Sequence, residues 1–172
     1  MEKAGSTGRL VFADIEREFA MGGEVAVRSV WHDVFLEAAD PAAPVRPPRT
    51  DAEAAAKADW VDELVLDARQ LFRFSALTFN THLIHYDRAW ARDVEGLPDL
   101  LVHGPLTRIL LMDAARRHAP GRMPATLTVR AIAPVLVDRR IRLAGSTDAG
   151  TTRVTALDDE DVVLATAEVS WT

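Results

Sequence analysis

One stretch, DPAAPVRPPRT from Asp40 to Thr50, constrains the chain more than any other, because it holds four of the nine prolines. Proline fixes φ and offers no N–H, so this segment can be neither a helix interior nor a central strand. The DAEAAAKAD that follows is alanine-rich and polar, with too little apolar periodicity to demand a core. Residues 40–59 therefore read as a linker, with space for one or two helical turns in its second half. Before it, Arg9 to Glu37 carries two strand-like runs rich in Val, Phe and Trp, divided by the turn signal Gly22-Gly23. Two strands alone are marginal and their edges want partners, so residues 1–39 are expected to pack on something else.

Residues 60–172 carry the pattern of a whole domain. VDELVLD reads as a strand, ARQLFRFSALT as a helical or tightly wound segment and LIHYDRAWARDV as a short helix after a polar turn at Asn80. In PLTRILLMDAARRHA, Leu106, Ile109, Leu110 and Ala114 recur at helical spacing, Pro105 sits where its missing N–H does no harm, and Pro120-Gly121 ends the run. Strands are expected over 125–132, 136–143, 151–156 and 162–171, separated by Ala133-Pro134, GSTDAG and DDED. A strand, a long helix and then an antiparallel meander predict an α+β domain whose curled sheet surrounds a long central helix.

Composition removes several chemistries. Twenty basic against 26 acidic residues give a net charge of −6, which argues against a nucleic-acid partner. There is no cysteine, so thiolate catalysis and cysteine-bound metals are excluded, and a reducing cytoplasmic setting is expected. No apolar run approaches the length of a bilayer, so no membrane association is expected.

What remains is a cluster. Asn80, His82, His85 and His103 fall within 24 residues. Each alone reads as a structural histidine or a capping asparagine. A zinc site of His82, His85 and His103 lacks a suitably spaced carboxylate and any HExxH pattern, so no metal is expected and the cluster points to proton transfer. Gly104, in VHGPL, precedes the long helix; its N–H is either part of an ordinary Gly-Pro helix entry or a free donor able to hold a thioester enolate oxygen.

The combination FSALTFN, HLIHYD and VHGPL resembles the MaoC-like hot-dog hydratases and dehydratases, in the branch of mesaconyl-, itaconyl- and 3-methylfumaryl-CoA hydratases and type 2 hydroxyacyl-thioester dehydratases. The resemblance runs from about Trp60 to Trp171. It implies a hot-dog fold, and GRLVFADIEREF with VAVRSVWHDVFLEA resembles the closing strands of a second, mostly missing hot-dog-like domain. It implies a lyase that adds or removes water across the double bond of a 2-enoyl-CoA, with coenzyme A as part of the substrate and no other cofactor. By the same resemblance the chain pairs as a homodimer or with another hot-dog subunit. The family pattern of Asp, Asn and His at intervals of two and three falls on Asn80, His82 and His85. An amide at Asn80 cannot accept a proton, so His85 carries the acid/base work or shares it with His82. Gly104 and His103 match the motif facing the thioester. Arg73, Arg88, Arg92 and Arg108 are the nearby cations for a distal carboxylate or for CoA phosphates, Arg73 and Arg108 being assigned to CoA; Phe72, Phe74, Phe79 and Leu83 would instead wall a plain acyl chain. A small dicarboxylic acyl-CoA is the first expectation and a 3-hydroxyacyl thioester of fatty-acid metabolism the second. A non-catalytic hot-dog partner is the reading from another class. Thioesterase chemistry has only Asp113, late in the helix, to rest on.

Overall fold

The computed structural model describes residues 2–5, 8–36 and 48–172. The chain divides into two compact units, Met1–Arg46 and Pro47–Thr172. Residues 40–47 of the expected linker, and Glu37 at the end of the expected hairpin, lie outside the described residues.

The first unit is a three-stranded antiparallel sheet in the order β1 (Glu2–Gly5), β2 (Gly8–Met21), β3 (Glu24–Leu36). β2 and β3 turn at Gly22 and Gly23, both at positive φ, which glycine reaches without penalty. Ile15 and Phe19 of β2 and Val27 of β3, paired with Phe19, are exposed apolar residues of this unit. β1 joins the hairpin through a stretch, EKAG, that carries no strand pattern; its partner's backbone recruits it.

The second unit is built on five antiparallel strands in the order β4 (Trp60–Val65), β6 (Arg140–Thr147), β7 (Thr151–Leu157), β8 (Val163–Trp171), β5 (Pro124–Ala131). Four helices accompany them: α1 (Ala54–Lys57), α2 (Ala68–Thr78), α3 (Arg88–Asp93) and α4 (Gly104–Arg117). Residues just before α1 are tied to this unit rather than free: Val163 N–H donates to Arg49 O at 2.8 Å and Asp51 N–H to Asp161 O at 2.9 Å.

The expected curled sheet around a single long central helix is not what forms. The sheet is open, with β4 and β5 at its edges. α4 buries only Leu111, Ala114 and Ala115, while Arg108, Ile109, Asp113 and Arg116 face outward. A helix enclosed by a sheet must be apolar all round, whereas this one is amphipathic and covers one face, sharing the work with shorter helices. The fold is α+β and hot-dog-like, with several short helices.

The strand expected over 136–143 begins instead at Arg140. Val135 and Val137 bury their side chains from a loop, Leu136 makes one bridge to Leu101, and Asp138 turns the chain at φ 57 before β6 starts. The apolar run was core without being strand. Leu71 of α2, Leu100, Leu111, Leu143, Val137, Val154 and Val169 are sealed from solvent. Each such side chain contributes about 1.5–3 kcal/mol by leaving water.

Candidate active site

Helix α2 is started by a capping box: Asp67 accepts the N–H of Gln70 at 2.9 Å, and the Gln70 side chain accepts the N–H of Asp67 at 2.8 Å. The helix ends at Phe79 in a left-handed conformation, and Asn80 N–H returns to Ser75 O at 2.9 Å. The Asn80 side-chain oxygen then accepts the N–H of His82 at 3.0 Å, closing an Asx turn. Phe79, Asn80, Thr81, His82, Leu83 and Trp90 line a hollow of about 450 Å³.

A single 3-10 turn, Leu83–His85, brings His85 inward to 7% exposure. Its Nδ1 lies 2.6 Å from the Leu101 carbonyl. A carbonyl only accepts, so Nδ1 carries the proton, and in the neutral ring Nε2 is left as a bare acceptor. The Leu101 carbonyl is fixed because the N–H of Leu101 donates to Ile84 O at 3.0 Å and that of Val102 to Val135 O at 2.8 Å. Burial pushes the His85 pKa below its ordinary value, the bond to Leu101 opposes this, and the charge of His82 lowers it further. Near neutrality the ring is therefore an uncharged base.

Directly on His85 lies His103, with centroids 3.6 Å apart and planes at 20°. His103 is fully buried; its Nε2 meets Ser75 Oγ at 2.8 Å, and Nδ1 is sealed with no partner among the described residues. Burial, reinforced by His85, pushes its pKa down to about 4. Phe74 packs edge-on against the same ring at 4.8 Å. His82 joins from outside, its ring 6.0 Å from that of His85.

Gly104 follows His103 as the first residue of α4, ahead of Pro105, and its N–H takes no partner among the described residues. A Cβ at Gly104 would meet nothing within 4 Å, so neither packing nor an unusual φ demands glycine there. Open space over a free donor at a helix N-terminus favours the approach of a negatively charged oxygen. Beside it runs a groove of about 330 Å³, lined by residues including Leu101, Thr107, Val129, Ile132, Val135 and Leu164 and by no charged side chain.

The arginines fall elsewhere. Arg88 is bound to Asp99 at 2.8 Å and Asp138 at 2.6 Å. Arg73 and Arg108 are exposed and without an ion-pair partner among the described residues; Arg108 borders a separate groove with Ile109, Met112 and Leu127. Ser75, Glu95 and the Leu101 carbonyl were not anticipated from the sequence. A serine four residues after Leu71, on the buried face of α2, was the available signal for the first. Among the described residues no group of three His, Cys, Asp or Glu is placed to hold a metal ion, and no helix is long and apolar enough to cross a membrane.

The five-stranded antiparallel sheet and the helices that accompany it make a hot-dog-like fold. The family described as hydroxyacyl-thioester dehydratase type 2 matches residues 1–137, and the chain belongs to it. Mesaconyl-C(4)-CoA hydratase of Chloroflexus aurantiacus is 42% identical over 118 residues, which are 68% of this chain and 41% of that protein. The mitochondrial hydroxyacyl-thioester dehydratase type 2 of Schizosaccharomyces pombe is 31% identical over 75 residues, 42% of this chain and 25% of that protein. The chain thus spans well under half the length of the curated relatives it matches. In fold it is similar to the crystal structure of HtdX from Mycobacterium tuberculosis, with a TM-score of 0.73 at 22% identity over 99% of this chain and 65% of that one.

Proposed function

We propose that the chain is a lyase, a hydratase/dehydratase that adds water to, or removes it from, the double bond of a 2-enoyl-CoA. The observation that carries this reading is His85: a buried, neutral imidazole with Nδ1–H committed to the Leu101 carbonyl and Nε2 bare. In hydration, Nε2 takes a proton from water as the water oxygen bonds to C3. The double-bond electrons move toward the thioester, and the Gly104 N–H holds the developing enolate oxygen. The imidazolium then returns its proton to C2, so the elements of one water are added and the base is regenerated. Asn80 and His82 orient the water, and His103 fixes the plane of His85. Arg73 and Arg108 are left to contact CoA phosphates, with coenzyme A entering as part of the substrate and no further cofactor required.

The acyl group we favour is a small dicarboxylic one such as mesaconyl or itaconyl, supported by the 42% identity to a mesaconyl-C(4)-CoA hydratase. The groove beside Gly104 supports a second reading, because its uncharged walls suit a plain acyl chain of a 3-hydroxyacyl thioester. Residues 60–172 form the catalytic hot-dog domain in this proposal, residues 40–59 its linker, hydrogen-bonded to that domain at Arg49 and Asp51, and residues 1–39 the end of a second hot-dog-like domain. The protein works in the cytoplasm as a homodimer or paired with another hot-dog subunit. Loss of enoyl absorbance on incubation with mesaconyl-, itaconyl- and crotonyl-CoA tests it: fastest loss with a dicarboxylic thioester is expected. Preference for crotonyl-CoA would move the assignment to the second reading, and no loss with any of them would favour a non-catalytic partner.

A further inference from the structure

The three clustered histidines have one carboxylate within ion-pair distance among the described residues, and it comes from just beyond the C-terminal end of α3. Glu95 Oε1 lies 4.0 Å from His82 Nε2. The same oxygen accepts the indole N–H of Trp90 at 3.3 Å. The backbone there is closed as well: the N–H groups of Val94 and Glu95 both donate to Trp90 O, at 3.0 and 3.2 Å, and Gly96 follows at φ 67. Trp90 also lines the hollow that holds Asn80 and His82. A half-exposed carboxylate would ordinarily sample many rotamers; here its backbone and one oxygen are both held beside His82.

We propose that Glu95 is a positioning residue for His82, supplying at the rim of the hollow the carboxylate that the amide at position 80 cannot be. This rests on the lyase reading above and deepens it. An imidazole held at one nitrogen by a carboxylate presents the other in a fixed direction, and a proton gained by that ring meets a compensating negative charge. With Nε2–H turned toward Glu95, the neutral His82 ring offers Nδ1 as an oriented acceptor to the water beside Asn80, while His85, with no carboxylate within ion-pair distance among the described residues, remains the base. Glu95 itself transfers no proton and touches no reacting atom.

Two readouts test this, one of which needs no turnover. Carbethoxylation of His82 by diethyl pyrocarbonate, mapped by mass spectrometry, should run severalfold slower in Glu95→Gln than in the parent, because the ring loses the carboxylate that makes its other nitrogen the better nucleophile. In turnover of mesaconyl- or crotonyl-CoA, Glu95→Gln should lose about tenfold in kcat with KM little changed. Glu95→Asp should recover part of the loss, and formate should partly rescue Glu95→Ala, which a purely structural role would not allow. Matched melting curves establish that the variants are folded. Equal carbethoxylation rates, or parental kcat in Glu95→Gln, would overturn the proposal. A parent protein that turns over no enoyl thioester would remove the lyase reading instead, and the modification rate at His82 would still decide the role of Glu95.

Discussion

At the N-terminal end of α4, His103 stacks on His85 at 3.6 Å; at its C-terminal end, His118 stacks on Trp60 at 3.9 Å with planes at 7°. The C-terminal pair is wired into charge. His118 Nε2 is 3.0 Å from Asp62, and Arg117 reaches the same carboxylate at 2.8 Å while also pairing with Asp113. Burial alone would raise the Asp62 pKa, but the hydrogen bonds from Arg117 and His118 outweigh it and hold the carboxyl below its ordinary value. A depressed carboxylate pKa adds stability that is present above the unfolded value and is lost as pH falls through the folded one. The N-terminal pair has no carboxylate partner among the described residues, both pKa values pushed down, and a bare Nε2 on His85. Each end also has a glycine. A Cβ on Gly145 would sit 2.1 Å from the Trp60 ring, whereas one on Gly104 would meet nothing. One end is filled and paired, the other neutral and open, and histidines left in the second condition are the ones suited to move protons.

The sharpest way to break this contrast is to exchange each histidine for glutamine. His85→Gln should lower kcat at least about a hundredfold with the melting temperature nearly unchanged. His118→Gln should leave kcat in place and lower the melting temperature, since it strips Asp62 of one of its two partners. Comparable kcat losses in the two variants, measured with the same thioester, would erase the distinction.

The glycines give a smaller version of the same test. Gly104→Ala keeps the N–H donor but puts a methyl group where a ligand oxygen would approach. It should cost on the order of tenfold or more in kcat/KM, up to about 3 kcal/mol if the contact is wholly lost. Its melting curve should be that of the parent. Gly145→Ala should do the reverse, costing roughly 1–3 kcal/mol in stability through the clash with Trp60. A collapsed melting temperature in Gly104→Ala would make that residue structural.

Legibility in the sequence tracks how local each determinant is. The helix between Pro105 and Gly121 and the glycine turn of the first hairpin are written in adjacent residues. The clustering of His82, His85 and His103 was legible as proximity along the chain, but their division into an exposed ring and a buried stack was not. That division depends on the Leu101 carbonyl and on Ser75, 16 and 28 residues from the rings they meet. Leu136 and Val137 misled for a related reason: burial and strand pairing select the same residue types, and only the single bridge at Leu136 and the turn at Asp138 separate them. Amphipathicity of α4 was readable in Arg108, Asp113 and Arg116, and it argued against an enclosed helix more strongly than the helix's length argued for one.

Nitrogen-15 NMR of the His85 ring, followed with pH, bears most directly on the claim that this histidine is a neutral base with a free Nε2. At pH 7 the ring should show a protonated Nδ1 and a bare, pyridine-like Nε2, and the imidazolium should form only below the ordinary histidine value of about 6.5. Because the folded protein then binds that proton more weakly than the unfolded chain, stability should fall as pH drops from 6.5 through the folded pKa. An Nε2-protonated tautomer, or an imidazolium already formed at pH 7, would contradict the account.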